Sequence, residues 1–135
     1  MPVTDRGEAS RMLRLILVPM LTVFAAQRLC LHLIPIRHVV VAGYLVHHLY
    51  TGALILIPAA FVLAFGVRHR PLAWLAPVAL GVGSAMVLDE VSYLVTTQAT
   101  DAEYRSPLSL GGAIVLMGLA TGLLLALYRV HRGKG

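Results

Sequence analysis

The chain has 135 residues, of which 59% are hydrophobic and only 13% are charged, and its mean hydropathy is +0.83. This composition excludes an ordinary water-soluble domain of this size and predicts an integral membrane protein. The net charge of +5 does not call for a nucleic-acid partner. The basic residues flank the apolar segments, where they attract anionic membrane lipid.

Four apolar segments follow one another along the chain. A hydrocarbon core about 30 Å thick is crossed by about 20 helical residues, and the spans fall at about 12–33, 39–67, 72–97 and 107–129. The second and third are joined by the short sequence at 67–71, which predicts an antiparallel hairpin. The fourth begins at Ser106-Pro107, a helix cap followed by proline at the first helical position. We expect one membrane domain over residues 1–135, an all-α four-transmembrane-helix bundle with antiparallel up-down topology.

The basic residues predict how this bundle is oriented. Three arginines, Arg28, Arg37 and Arg105, belong to one side of the membrane. The other eight basic residues flank the opposite side: Arg6, Arg11, Arg14, Arg68, Arg70, Arg129, Arg132 and Lys134. The positive-inside rule then places both termini in the cytoplasm. We expect a multi-pass protein of a prokaryotic inner (cytoplasmic) membrane.

Polar residues interrupt the second and third spans at helical spacing. They are Tyr44, His47, His48 and Thr51 in one span and Asp89, Glu90, Tyr93 and Thr97 in the next. His47 and Asp89 each lie about 20 residues from the hairpin, roughly 30 Å along a helix, so both groups are expected at one level near the extracytoplasmic face. Arg28 and His32 of the first span reach the same level. Ionisable residues inside a membrane are costly and usually functional.

These residue types are suited to a metal site. His47, His48, Asp89 and Glu90 form the ligand set expected for zinc, or for iron or manganese, and such a site would activate water for hydrolysis. Adjacent histidines differ by about 100° around a helix, so one would bind while the other orients a carboxylate. Arg28 and Tyr93 would support the catalytic group.

Two other interpretations of the cluster remain open. In the first, the residues only neutralise one another, His47 or His48 with Glu90 and Arg28 with Asp89, with the tyrosines closing the network. In the second, a carboxylate and a histidine perform general acid-base catalysis without a metal. A haem is disfavoured, because only His32 or His38 lies near the level required for a second axial ligand.

Three functions are consistent with this sequence. The first is a hydrolase or group-transfer enzyme that acts on a lipid-like substrate. The second is a cation- or proton-coupled transporter, although the spans are nearly all aliphatic beyond Thr51 and Asp89. The third is an accessory subunit, or a homo-oligomer, assembled through the small-residue face of Gly118 and Gly122 in the fourth span.

Overall fold

The structure is a computed structural model that describes residues 4–34, 39–41, 44–67, 69–98 and 100–133. Its main elements are the helices α1 (Thr4–Leu33), α2 (His48–Ala64), α3 (Arg70–Thr96) and α5 (Pro107–Gly133). A single helical turn, α4 (Asp101–Tyr104), lies between α3 and α5, and two short strands, β1 (Val39–Val41) and β2 (Tyr44–Val46), lie between α1 and α2. The described residues thus form a predominantly helical bundle.

Three of the helices are long and apolar enough to cross a membrane. The candidate spans are Gly7–Leu33, Arg70–Val95 and Pro107–Arg132, which lie close to the predicted first, third and fourth spans. The helix α2 is shorter, with 17 residues, or about 26 Å at 1.5 Å per residue. Three long apolar helices and one shorter apolar helix are therefore consistent with the predicted helical membrane bundle, and three of the four predicted spans correspond to helices long enough to cross a membrane.

The prediction of one continuous helix over 39–67 is wrong in its first part. The strands Val39–Val41 and Tyr44–Val46 pair antiparallel, with Val39 opposite Val46 and Val41 opposite Tyr44. His47 has the extended conformation of a helix cap, so α2 begins at His48. Three consecutive valines favour a strand because branching at Cβ restricts their side-chain rotation in a helix. The proposed helical face that joined Tyr44 to His47 and Thr51 is therefore not formed.

The helix α3 is the centre of the bundle, since α1, α2 and α5 all pack against it. Its Ala85 is fully buried between Met20 of α1 and Met117 of α5. Two glycines allow especially close approach: a side chain at Gly81 would collide with the carbonyl of Ile16, and one at Gly83 would meet the carbonyl oxygen of Gly52 at 2.7 Å. Gly118 and Gly122, by contrast, have no neighbour within 4 Å of an added Cβ.

The packing of α3 also defines the two ends of the bundle. At one end, hereafter the cluster end, Arg28 of α1 meets Asp89 near the C-terminus of α3, and α2 and α5 begin there. At the other end, hereafter the basic end, α1 and α3 begin and α5 finishes. The predicted start of α5 at Pro107 is confirmed, and the Ser106 hydroxyl oxygen accepts a hydrogen bond from the Ser109 amide at 3.2 Å.

Candidate functional site

The first half of the site is built around Asp89, whose side chain is almost completely buried. Its Oδ1 accepts a hydrogen bond from Arg28 Nε at 2.5 Å, and its Oδ2 accepts one from the Tyr104 hydroxyl at 2.8 Å. A buried carboxylate is tolerated when it is paired and hydrogen-bonded in this way. The predicted pairing of Arg28 with Asp89 is confirmed, and both oxygens of Asp89 are bonded within the protein.

Arg28 is likewise held on several sides. Its Nη1 donates to the Tyr104 carbonyl at 3.1 Å, and its Nη2 lies 3.4 Å from the carbonyl oxygen and 3.3 Å from the hydroxyl oxygen of Ser109. The Ser92 hydroxyl donates to the same Ser109 carbonyl at 3.1 Å. One guanidinium therefore ties α1 to α3, α4 and α5. These hydrogen bonds position the four helices relative to one another and direct the guanidinium towards the interior of the bundle.

The second half of the site is built around Glu90, which faces the start of α2. Glu90 Oε1 lies 2.6 Å from His47 Nδ1, and Oε2 accepts a hydrogen bond from the Leu49 amide at 2.5 Å. The helix α2 has no acidic residue in its own first turn and no side-chain cap from His47. A carboxylate from α3 therefore serves as the anion at the N-terminus of α2, where the helix dipole stabilises negative charge.

His47 is the accessible member of this pair. Its side chain is 29% exposed, whereas that of Glu90 is 3% exposed. We assign the ring proton to Nδ1, which then donates to the Glu90 carboxylate, because an ionised carboxylate can only accept; in a neutral imidazole the lone pair is then on Nε2. The described contacts of His47 leave Nε2 without a hydrogen bond, so this nitrogen is available to an incoming molecule.

Most of the other residues that were predicted to join the site do not contact the two carboxylates in the structure. His48 and His32 are exposed, as is Thr51, and none of them joins the two carboxylates. Tyr93 is buried, and its ring lies 4.4 Å from the ring of Tyr104. Arg37 and His38 lie outside the described residues.

Tyr104 is the functional neighbour that the sequence interpretation did not include. It lies in α4, which is held by a capping box in which the Thr100 and Glu103 side chains bond each other's backbone amides. Burial raises the pKa of the Tyr104 hydroxyl far above its usual range, and the negative charge of Asp89 raises it further. The phenol is therefore neutral and remains a donor to Asp89. The Thr-x-x-Glu spacing is a capping-box signature that predicts such a turn.

The two halves of the site lie on different sides of α3. Neighbouring helical residues are rotated by about 100°, so Asp89 is directed towards α1 and α4 while Glu90 is directed towards α2. Within the part of the chain that the structure describes, no group of three or more His, Cys, Asp or Glu side chains could hold a metal ion. No family model, curated protein or solved structure matches the chain.

Proposed function

We propose that the protein is a membrane-embedded hydrolase or group-transfer enzyme in which His47 is the general acid-base residue. The observation that carries the proposal is the His47 to Glu90 contact of 2.6 Å, in which a buried carboxylate holds Nδ1 while the imidazole remains 29% exposed. A carboxylate in this position fixes the tautomer and orientation of the ring and stabilises the imidazolium that forms during proton transfer.

The proposed reaction uses Nε2 of His47, which forms no hydrogen bond with the described part of the chain. This nitrogen takes a proton from a water molecule or a substrate hydroxyl, whose oxygen then attacks an electrophilic carbon or phosphorus. The imidazolium returns the proton to the leaving group. Arg28 and Asp89 position the surrounding helices, and Tyr93 packs beside Tyr104 at the end of this network.

A lipid-like substrate is the proposed partner of this site. Exposed apolar side chains follow His47 along α2 at helical spacing: Tyr50, Leu54, Ile57 and Phe61. The Tyr50 ring lies 6.3 Å from the His47 ring, so this stripe begins next to the imidazole. An acyl or prenyl chain lying along α2 would place its polar group at His47.

The proposed orientation has both termini in the cytoplasm and the cluster end on the extracytoplasmic side of a prokaryotic inner membrane. The exposed arginines Arg11, Arg14, Arg70, Arg129 and Arg132 at the basic end support it, because positive charge is retained on the cytoplasmic side. A substrate would then enter from the outer leaflet.

A divalent metal at this site, zinc or iron or manganese, stays a prediction. His47 Nε2 would be its ligand and Glu90 would orient the ring, as carboxylates commonly do for metal-bound histidine. Elemental analysis of the purified protein, with His47→Ala as the comparison, tests it. Wild-type protein free of metal but active would leave the acid-base reaction as the complete mechanism.

Turnover tests the proposed function. We expect the wild-type protein to release product from one of a panel of carboxylic and phosphoric esters of long-chain alcohols and glycerol. His47→Gln and Glu90→Gln should each lower the rate by about 100-fold or more, since acid-base catalysis contributes about 10²- to 10⁴-fold. His69→Gln is the matched control, because His69 is exposed at the basic end. Unchanged turnover in His47→Gln would contradict the proposal.

A second candidate function is assembly with another copy of the chain or with a larger membrane complex. It is favoured by Gly118 and Gly122, which face open space although glycines spaced by four usually serve close helix contacts. Cross-linking in bilayers should show association that Gly118→Ile and Gly122→Ile abolish. Ala25→Ile, on an exposed position of α1, should leave association intact. Equal cross-linking in all variants would show that the Gly118 and Gly122 face is not the site of association.

A further inference from the structure

The basic end of the bundle carries a group of exposed arginines. Arg11 and Arg14 lie near the start of α1, Arg70 begins α3, and Arg129 and Arg132 lie near the end of α5. They share one end of the bundle because α1 and α3 start at the end where α5 finishes. All three helices are long and apolar enough to cross a membrane, so we expect these arginines, near the ends of the apolar helices, to lie close to lipid headgroups.

Arg11 is held in a defined position within this group. The guanidinium carbon of Arg11 lies 4.2 Å from the centre of the Trp74 ring in α3. The Trp74 side chain is 58% exposed. A cation over an indole face is attracted by the ring electrons, so the contact holds the Arg11 guanidinium beside Trp74. Arg14 is directed along its own helix by a bond from Nε to the Ser10 carbonyl at 3.3 Å.

These arginines differ from Arg28 in the ion pairs that the structure describes. Arg28 at the cluster end is neutralised by Asp89. Among the residues that the structure describes, the ion pairs involve Asp89 and Glu90 at the cluster end, and no carboxylate pairs with Arg11, Arg14 or Arg70. Among the described side chains, the exposed arginines at the basic end therefore outnumber its single carboxylate, Glu8, and leave this end positively charged.

We propose that the basic end binds the headgroup of an anionic phospholipid and that Arg11 and Trp74 form the contact. A guanidinium binds the two oxygens of a phosphodiester in bidentate fashion. The indole ring suits the interface between headgroups and acyl chains. Arg14 and Arg70 add positive charge at the same end of the bundle. This site is separate from the proposed reaction at His47, and it is occupied by lipid of the leaflet that borders the basic end.

Fluorescence quenching tests this site directly, because Trp74 is the only tryptophan in the chain. The full-length protein is reconstituted in phosphatidylcholine bilayers that contain a minor fraction of brominated lipid, either phosphatidylglycerol or phosphatidylcholine. We expect brominated phosphatidylglycerol to quench Trp74 more strongly. The ratio of the association constants for phosphatidylglycerol and phosphatidylcholine gives the preference for the anionic lipid. Because it is a ratio, any effect of a substitution on the Trp74 fluorescence itself cancels.

Two matched variants test whether the preference for the anionic lipid arises at Arg11. Arg11→Gln should lower it by roughly fivefold, since a basic residue near an anionic surface contributes about 1 kcal/mol. Arg105→Gln removes the same charge from an exposed position at the cluster end and should leave the preference unchanged. Equal quenching by both lipids in the wild type would overturn the proposal. An equal loss in both variants would also overturn it, because the preference would then reflect overall charge.

Discussion

The buried pair of Arg28 and Asp89 gives the sharpest test of how the cluster end is stabilised. The Asp89→Asn substitution keeps the size of the side chain and removes its charge. Arg28 is only 8% exposed and Asp89 only 1% exposed, so water cannot replace the lost counter-ion. The guanidinium would retain its bonds to the Tyr104 carbonyl and to Ser109, but its positive charge would remain buried without a negative partner.

The expected cost follows from this burial. Breaking a buried ion pair by removing one partner costs about 3–5 kcal/mol, because an uncompensated charge is left behind. Arg28→Met should have a similar cost, since Asp89 would keep only the hydrogen bond from Tyr104. The double variant leaves no unpaired charge. Its cost should therefore be smaller than the sum of the single costs, with a coupling energy of about 2–3 kcal/mol.

The assay is reversible unfolding of the purified protein in mixed micelles of increasing denaturing-detergent fraction, followed by helical circular dichroism. Arg105→Gln is the control, because Arg105 is exposed and its substitution should change the free energy of unfolding by no more than about 0.5 kcal/mol. Single variants that lose less than about 1 kcal/mol, or costs that simply add in the double variant, would refute the reasoning.

Two further predictions concern packing and the turn α4. Gly83→Ala should destabilise the bundle by about 1–3 kcal/mol through overpacking, because the new Cβ would lie 2.7 Å from the Gly52 carbonyl oxygen. Gly7→Ala is the control, because a Cβ at Gly7 would meet open space. An equal loss of stability in both variants, measured in the same unfolding assay, would contradict the close contact. The hydrogen bond from the Thr100 side chain lowers the pKa of Glu103, so Thr100→Ala should raise that pKa towards its usual value in an NMR titration. The stabilisation by Glu103 is present above its unfolded pKa and is lost as the pH falls through the lowered folded pKa; an unchanged Glu103 pKa in Thr100→Ala would contradict it.

The pairing within the site could be predicted from the sequence because membrane helices have a constant rise. Counting from the hairpin at residues 67–71 placed the histidines and carboxylates at one level, and the structure pairs His47 with Glu90 and Arg28 with Asp89. The low polarity of the spans made these residues conspicuous, since every buried charge in a membrane requires a partner. Hydropathy and spacing thus predicted which segments pair, but they left open whether His47 or His48 contacts Glu90.

The start of α2 could not be predicted by the same means. A hydropathy window measures apolar content and does not distinguish a helix from a strand, so the valines from Val39 to Val41 were included in the second span. The cap on α2 was equally hidden, because the carboxylate that accepts the Leu49 amide comes from Glu90 on α3. A tertiary contact therefore fixes the first turn of α2, and no residue within α2 indicates it.

The division between Asp89 and Glu90 narrows the chemistry that the cluster end can support. Two adjacent carboxylates suggest a pair acting on one substrate, yet α3 directs them to different neighbours. Asp89 has both oxygens bonded to Arg28 and Tyr104, and Glu90 has both bonded to His47 and the Leu49 amide. Neither carboxylate is free to act as a nucleophile or to receive a proton from a substrate without breaking a structural bond. Among the residues that the structure describes, the imidazole of His47 retains an unbonded nitrogen and partial exposure. The acid-base chemistry that we propose therefore depends on this single histidine, with Glu90 as its positioning residue.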